Sequence, residues 1–346
     1  MSRVRTGAVQ VRDRLRRAAV ARIAELDDGD YAAFGFDHRP LKEATGYVGW
    51  PACARWLPVL NTGPDLAVLD DKEEFRAVLA ARGLPVPETV AVFDPRTDDP
   101  HEVRAALTAY RDGLVVKPAR GGRGRGVVIF TDLDEDARTG TTVRGKKVRL
   151  VKALERSAAA VEGPVVVQRR LRQHHAMDPY APQGHSTVRV YTLRRVDGTL
   201  RHVGAHLRLG RRHSMTDHVW GGSVGADIDV DTGLVGQGVQ VSKAGYEPTD
   251  RHPETGVVFR GTTVPWWGEV RALCETVAQL FPEVRFVGWD VMVTDDGPRM
   301  LEGNRDIRLR TLQVLRGGVL DDGLRADLEE LGVTVPRGWL QRAVGN

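Results

Sequence analysis

The stretch VGWDVMVTDDGPRMLEGN, residues 287–304, restricts the fold of this chain more than any other. Val287, Trp289, Val291 and Val293 alternate with Gly288, Asp290 and Met292, the period-2 pattern of a strand with one buried face. Residues 299–304 alternate in the same way. If Asp295-Asp296-Gly297 forms a three-residue hairpin turn, Asp290 lies opposite Glu302 and Met292 opposite Met300, with Asn304 on the same face. Two carboxylates facing each other across a hairpin repel and destabilise it unless a cation sits between them. All the candidate ligands carry oxygen, which suits magnesium, or manganese as the alternative, better than zinc. The competing reading is an exposed hairpin whose acids pair with surface arginines.

A second feature lies upstream. Residues 114–130 read as a strand, a glycine-rich loop and another strand. A Rossmann or Walker loop opens a helix, whereas residues 127–130 are too β-branched and apolar to do so; the loop must cap a hairpin. Gly121, Gly122, Gly124 and Gly126 let backbone N–H groups approach a polyphosphate, and Lys117 with Arg123 or Arg125 adds positive charge. The alternative is a flexible arginine-glycine loop. Farther on, the apolar run 165–168 exits into Arg169-Arg170-Leu171. Such an exit either presents backbone groups to an adenine edge or is an ordinary strand end.

Around these features the periodicity predicts a helix from about residue 70 to Gly83, and others over 101–111, 151–161 and 267–280. Strands are predicted over 89–93, 187–195 and 200–209, besides those above; residues 31–64 read as short helices and loops. Hairpins alternating with separate helices indicate an α+β chain. The 346 residues, 41% of them hydrophobic, suffice for two or three structural units.

The net charge of +4 is uneven: residues 1–24 hold seven arginines against Asp13, so the rest of the chain is slightly acidic. The basic segment reads as a helix docked on the fold, with nucleic acid or a charged surface as the rival partner. Cys53 and Cys274 are too far apart for a metal-ligand motif, which suggests a reduced, cytoplasmic setting. Apolar runs fall short of the ~18 residues a membrane span needs. His174, His175, His202, His206, His213 and His218 lack the spacing of a zinc site, and His252 receives no role.

Taken in order, Asp71-Lys72, Lys117-Pro118 with its glycine-rich hairpin, Gln168, Gly288-Trp289-Asp290 and Glu302-Gly303-Asn304 resemble the ATP-grasp superfamily. Residues 186–192, Gly221-Gly222, 229–233, His252-Pro253 and Val264-Pro265-Trp266 are similar to its sugar-transfer associated group, and the likeness covers roughly 70–320. The resemblance implies an ATP-grasp fold in which two α+β subdomains, 70–168 and 169–346, sandwich ATP after a mainly helical segment, 1–69. It implies that Lys72, Lys117 and the four loop glycines meet the phosphates, and that Gln168, Arg169, Leu171 and Met292 surround the nucleotide. Arg189 would face the transferred phosphate, and Asp290, Glu302 and Asn304 would ligate two magnesium ions.

The implied activity is carboxylate–amine ligation through an acyl phosphate, acting on small-molecule or peptide substrates. Arg189, Lys117 and Arg208 would serve catalysis, and Arg208, Arg305, Arg308 and Arg310 would bind the acid. A phosphotransferase using the same ATP site is the alternative. Two departures from the family pattern stand out: no Rossmann-like domain precedes Lys72, and Arg305 to Arg310 replaces the usual small Ser-Pro-Gly-like stretch.

Overall fold

Two antiparallel sheets with helices packed on them organise the chain, whose computed structural model describes residues 2–122, 124–181, 186–211, 223–242 and 245–336. Arg123, His213, His218, Gly221 and Gly222 lie outside the described residues. The first sheet contains β1 (Thr89–Phe93), β2 (Leu114–Pro118), β3 (Val128–Leu133), β4 (Thr139–Thr142), β5 (Lys147–Arg149) and β6 (Val165–Arg169), in the order β1-β6-β2-β3-β4-β5. Leu114, Val116, Phe130 and Val167 point to one face and pack with Leu150 and Leu154. That face is closed by α6 (Pro100–Ala105) and α7 (Leu150–Ala159). The helix expected over 101–111 stops at Ala105, whose carbonyl accepts from the Thr108 hydroxyl at 3.4 Å, a local bond that competes with the helical ladder.

The second sheet has the order β11-β10-β9-β8-β7-β12-β13. Its strands are β7 (Ser186–Arg194), β8 (Leu200–Leu209), β9 (Val224–Ile228), β10 (Val235–Ser242), β11 (Gly245–Thr249), β12 (Phe286–Thr294) and β13 (Gly297–Asn304). Val190, Ala205, Ile228 and Trp289 share one face and pack against α8 (Trp267–Gln279). The helix α5 (Lys72–Ala80) precedes the first sheet in sequence but belongs to this second core, with Phe75 stacked between Phe281 and Trp289. Burial of the Phe75 ring contributes about 1.5–3 kcal/mol, enough to anchor a short helix.

The opposite face of the second sheet is apolar only at one end. There Tyr191, Leu193 and Phe286 meet α3 (Trp50–Leu60), α9 (Arg310–Arg316) and α10 (Asp322–Glu330). The helices α1 (Ser2–Ala24) and α2 (Asp28–Ala33) form a separate small core through Val20, Ile23, Tyr31 and Phe36, while α4 (Asp65–Asp70) leads into α5. Part of the basic charge of α1 is spent on docking. Arg16 donates to the carbonyls of Phe36 and Arg39, and Arg17 pairs with Asp37 at 3.2 Å while lying over the Tyr31 ring. Among the described residues no helix is long and apolar enough to cross a membrane.

The β12–β13 hairpin corrects the predicted turn. Thr294 pairs with Gly297, so Asp295-Asp296 alone form the turn, and Met292 faces Arg299 instead of Met300. A bulge at Leu301 then shifts the register by one residue, and Asp290 meets Glu302 as expected, with Gly288 opposite Asn304. The strands β4, β5 and β9–β11 were not expected from the sequence; β9 and β10 are interrupted by glycines and β5 is three residues long.

Candidate active site

Direct cross-strand pairing places five polar residues in one row: Glu302 on β13, Asp290 on β12, Arg189 on β7, His206 on β8 and Asp227 on β9. A sheet face this polar cannot join an apolar core without its charges being matched. Asp290 is 3% exposed. It accepts from Nε and Nη2 of Arg189, the latter at 2.8 Å, and from Nη1 of Arg208 at 2.9 and 2.8 Å. Burial alone would raise its carboxyl pKa, but the two guanidinium groups outweigh burial and hold it below the usual carboxylate range. Removing one side of so buried a pair costs about 3–5 kcal/mol.

Glu302 is half-buried and faces the cleft. Asn304 bridges the two acids, its Nδ2 lying 3.4 Å from Asp290 Oδ2 and 3.4 Å from Glu302 Oε1. The hairpin is therefore not exposed, as the competing reading had it: arginines hold Asp290, but inside the protein. Asp290, Glu302 and Asn304 carry oxygen donors of the kind a hard divalent cation takes, but both Asp290 oxygens accept from arginines and Asn304 turns its Nδ2, not its oxygen, toward the acids.

Across the cleft, Lys117 is the last residue but one of β2, and loss of hydration pushes its ammonium down to about 8, opposed by Glu302 and reinforced by Lys72. Lys72 opens α5, where Asp71 caps the helix by accepting from Glu73 and Glu74 N–H groups. The Lys72 ammonium donates to the Gly121 carbonyl at 2.5 Å, and Arg120 pairs with Asp71 at 3.1 Å, so the glycine-rich loop is tied to the helix start. Gly121, Gly124 and Gly126 all have positive φ, and a Cβ on Gly126 would meet Ala160 Cβ at 2.8 Å. Gly122 has open space around it. Arg125 turns away to the Ala160 carbonyl at 3.2 Å.

The far end of the cleft is more apolar. Met292 is buried there, and Gln168 Nε2 donates to Thr89, whose hydroxyl donates to Glu73 at 2.6 Å. The N–H groups of Arg169 and Arg170 are taken by the Glu88 and Gly113 carbonyls, leaving the Leu171 amide without a backbone acceptor among the described residues. Lys72, Lys117, Gly121, Gly122, Gly124, Gln168, Leu171, Met292, Asp290, Glu302 and Asn304 thus line one cleft of about 1180 Å³, whereas Gly126 packs against Ala160 outside that lining.

The remaining predicted arginines separate. Arg208 holds Asp290, Arg305 pairs with Asp70, Arg310 pairs with Asp27 and Asp30, and Arg308 lies over Trp50. Sequence reading assigned no place to His206 and Asp227 in the row, nor to Thr187 and Trp50 in the lining. His206 is recoverable by counting across from Arg189, but only once the β7–β8 register is known. Burial, with Arg189 and Arg208 beside it, holds the His206 imidazole well below its usual pKa; burial raises Asp227 to about 6. The histidines His174 and His175 sit instead at the hairpin turn, with His175 Nδ1 2.7 Å from Asp295.

A family model described as sugar-transfer associated ATP-grasp matches residues 53–328. Among solved structures, biotin carboxylase from Campylobacter jejuni aligns at a TM-score of 0.49 and 11% identity, covering 81% of this chain and 50% of that one. The biotin carboxylase domain of the 2-oxoglutarate carboxylase from Hydrogenobacter thermophilus, solved with MgADP and bicarbonate, aligns at 0.47 and 14% identity, covering 78% and 47%. The D-Ala:D-Ser ligase VanG from Enterococcus faecalis aligns at 0.44 and 13% identity, covering 88% and 68%. The chain spans about half the length of the two carboxylases. No curated protein sequence matches it.

Proposed function

The chain belongs to the sugar-transfer associated ATP-grasp family, and from that membership we propose that it is an ATP-dependent carboxylate–amine ligase working through an acyl phosphate. The observation that supports this most is the opposition of Lys72 and Lys117 on one wall to Glu302, Asp290 and Asn304 on the other. Opposed charges of that kind suit a metal-bound polyphosphate. Gln168, the backbone from Arg169 to Leu171, and Met292 would take the base; the loop from Gly121 to Gly126 would cover the phosphates with backbone N–H groups. Asp290, Glu302 and Asn304 would hold two magnesium ions, which when bound neutralise phosphate charge.

The chain's own residues then supply alignment and charge. Arg189 gives Nε and Nη2 to Asp290. Held by a buried carboxylate, it stands pre-oriented toward a phosphoryl group, with Lys117 facing it across the cleft. A substrate carboxylate that takes the terminal phosphoryl group releases ADP; an amine then forms the amide and expels phosphate. No enzyme nucleophile is required.

The test is ADP release with magnesium, pooled carboxylic acids and hydroxylamine, followed by mass spectrometry. Hydroxamate formed together with ADP is the expected result. ADP with a stable phosphorylated product and no hydroxamate would replace the ligase with a phosphotransferase.

A further inference from the structure

Past the metal-binding hairpin the cleft runs on to a wall that a nucleotide does not need. The loop after β13 brings Arg305, Arg308 and Arg310 there. Two of these cations pair with the protein's own carboxylates. Arg305 is held by Asp70 through two bonds of 2.7 Å, and Arg310 by Asp27 and the buried Asp30. Arg308 differs: it is exposed to the cleft, and no carboxylate lies within ion-pair distance of it among the described residues. Even Asp306, two positions away and exposed, makes no pair with it.

Its guanidinium is nevertheless placed. It lies over the Trp50 ring, 4.1 Å from the centroid, and the Arg308 carbonyl accepts from the Tyr191 hydroxyl at 3.5 Å. The Trp50 backbone is fixed in turn, because its main-chain N–H donates at 3.0 Å to Asp30, which is 2% exposed. The preceding Gly49 packs so closely that a Cβ would lie 2.0 Å from the Glu25 carbonyl oxygen. A guanidinium held over an indole face can still present N–H groups for bidentate contact with a carboxylate or phosphate. Stacking also removes part of its hydration, which raises the gain from an incoming anion.

We infer that Trp50 and Arg308 form a subsite for a second anionic group, a carboxylate or a phosphate, on the acid activated beside Arg189. The substrate is then a small dianion or polyanion. Trp50 precedes the family match at residue 53, so the N-terminal segment supplies part of this subsite. The identity of the activated group rests on the ligase reading; the anion subsite itself does not.

Calorimetric titration of the full chain, with magnesium and a non-hydrolysable ATP analogue present, would test it with tricarballylate, 3-phosphoglycerate and propionate. At least one of the two polyanions should bind tenfold or more tightly than propionate, and which one binds better separates carboxylate from phosphate. Arg308→Ala should remove that preference, with Arg308→Lys and Trp50→Leu in between. Equal binding of polyanion and propionate, or an unchanged preference in correctly folded Arg308→Ala, would overturn the inference. In a parallel assay with ATP and hydroxylamine, polyanion binding through Arg308 without ADP or hydroxamate would keep the subsite and remove the ligase reading. ADP release driven equally by propionate in wild type and Arg308→Ala would do the reverse.

Discussion

The two walls of the cleft solve the same electrostatic problem in different ways. On the second sheet the charged groups sit in strand interiors, locked by direct cross-strand pairs and by two guanidinium groups on one buried carboxylate. On the other wall the corresponding groups stand near the end of a strand of the first sheet, at the start of α5 and in the glycine-rich loop, where the Lys72 ammonium holds a carbonyl. The first arrangement gives fixed charge with little reorganisation. The second gives backbone donors that can close on a ligand of variable shape. The same substitution should therefore cost stability on one wall and ligand affinity on the other.

The sharpest break in that contrast is Asp290→Asn. It strands Arg189 and Arg208 in a buried site, and urea unfolding should show a loss of about 3–5 kcal/mol together with loss of turnover. A loss below ~1 kcal/mol would mean the wall is not preorganised by this pair. Glu302→Gln leaves the arginine pairs intact, so its melting should match wild type while magnesium-dependent turnover falls about a hundredfold or more. Within the loop, Gly126→Ala should destabilise by about 1–3 kcal/mol through its contact with Ala160, whereas Gly122→Ala should stay within about 0.5 kcal/mol.

Lys117→Ala has a clear ligand effect, a loss of about tenfold in nucleotide affinity. Its pH dependence has a definite sign. The wild-type ammonium titrates near 8, so affinity should fall as pH rises through that value, and the Ala variant should lack the step. Burial favours the neutral amine, and the folded value lies below the ~10.4 of a free lysine. Relative to Lys117→Met, wild type should then gain stability as pH climbs from about 8 toward about 10.4 and lose that gain as pH falls through 8.

The same contrast explains what could be read from sequence. The alternating runs of β12 and β13 announce a hairpin and its facing acids, because period 2 and a short turn leave few registers. They do not announce the bulge at Leu301, since an extra residue leaves no mark in composition; the predicted turn was one residue too long and the final pairing right. The α+β architecture was visible in the spacing of apolar runs, and the ATP-grasp family in the order of its motifs. Long-range partners were not. Arg305 to Arg310 reads as one basic patch, yet Asp27, Asp30 and Asp70, more than two hundred residues away, decide which of its cations remains open.

The most direct measurement is calorimetric binding of a non-hydrolysable ATP analogue to wild type and Glu302→Gln, each with and without magnesium. If the two walls jointly hold a metal-bound polyphosphate, magnesium should tighten wild-type binding at least tenfold and leave Glu302→Gln unchanged. Equal magnesium dependence in both proteins, or none in wild type, would contradict it.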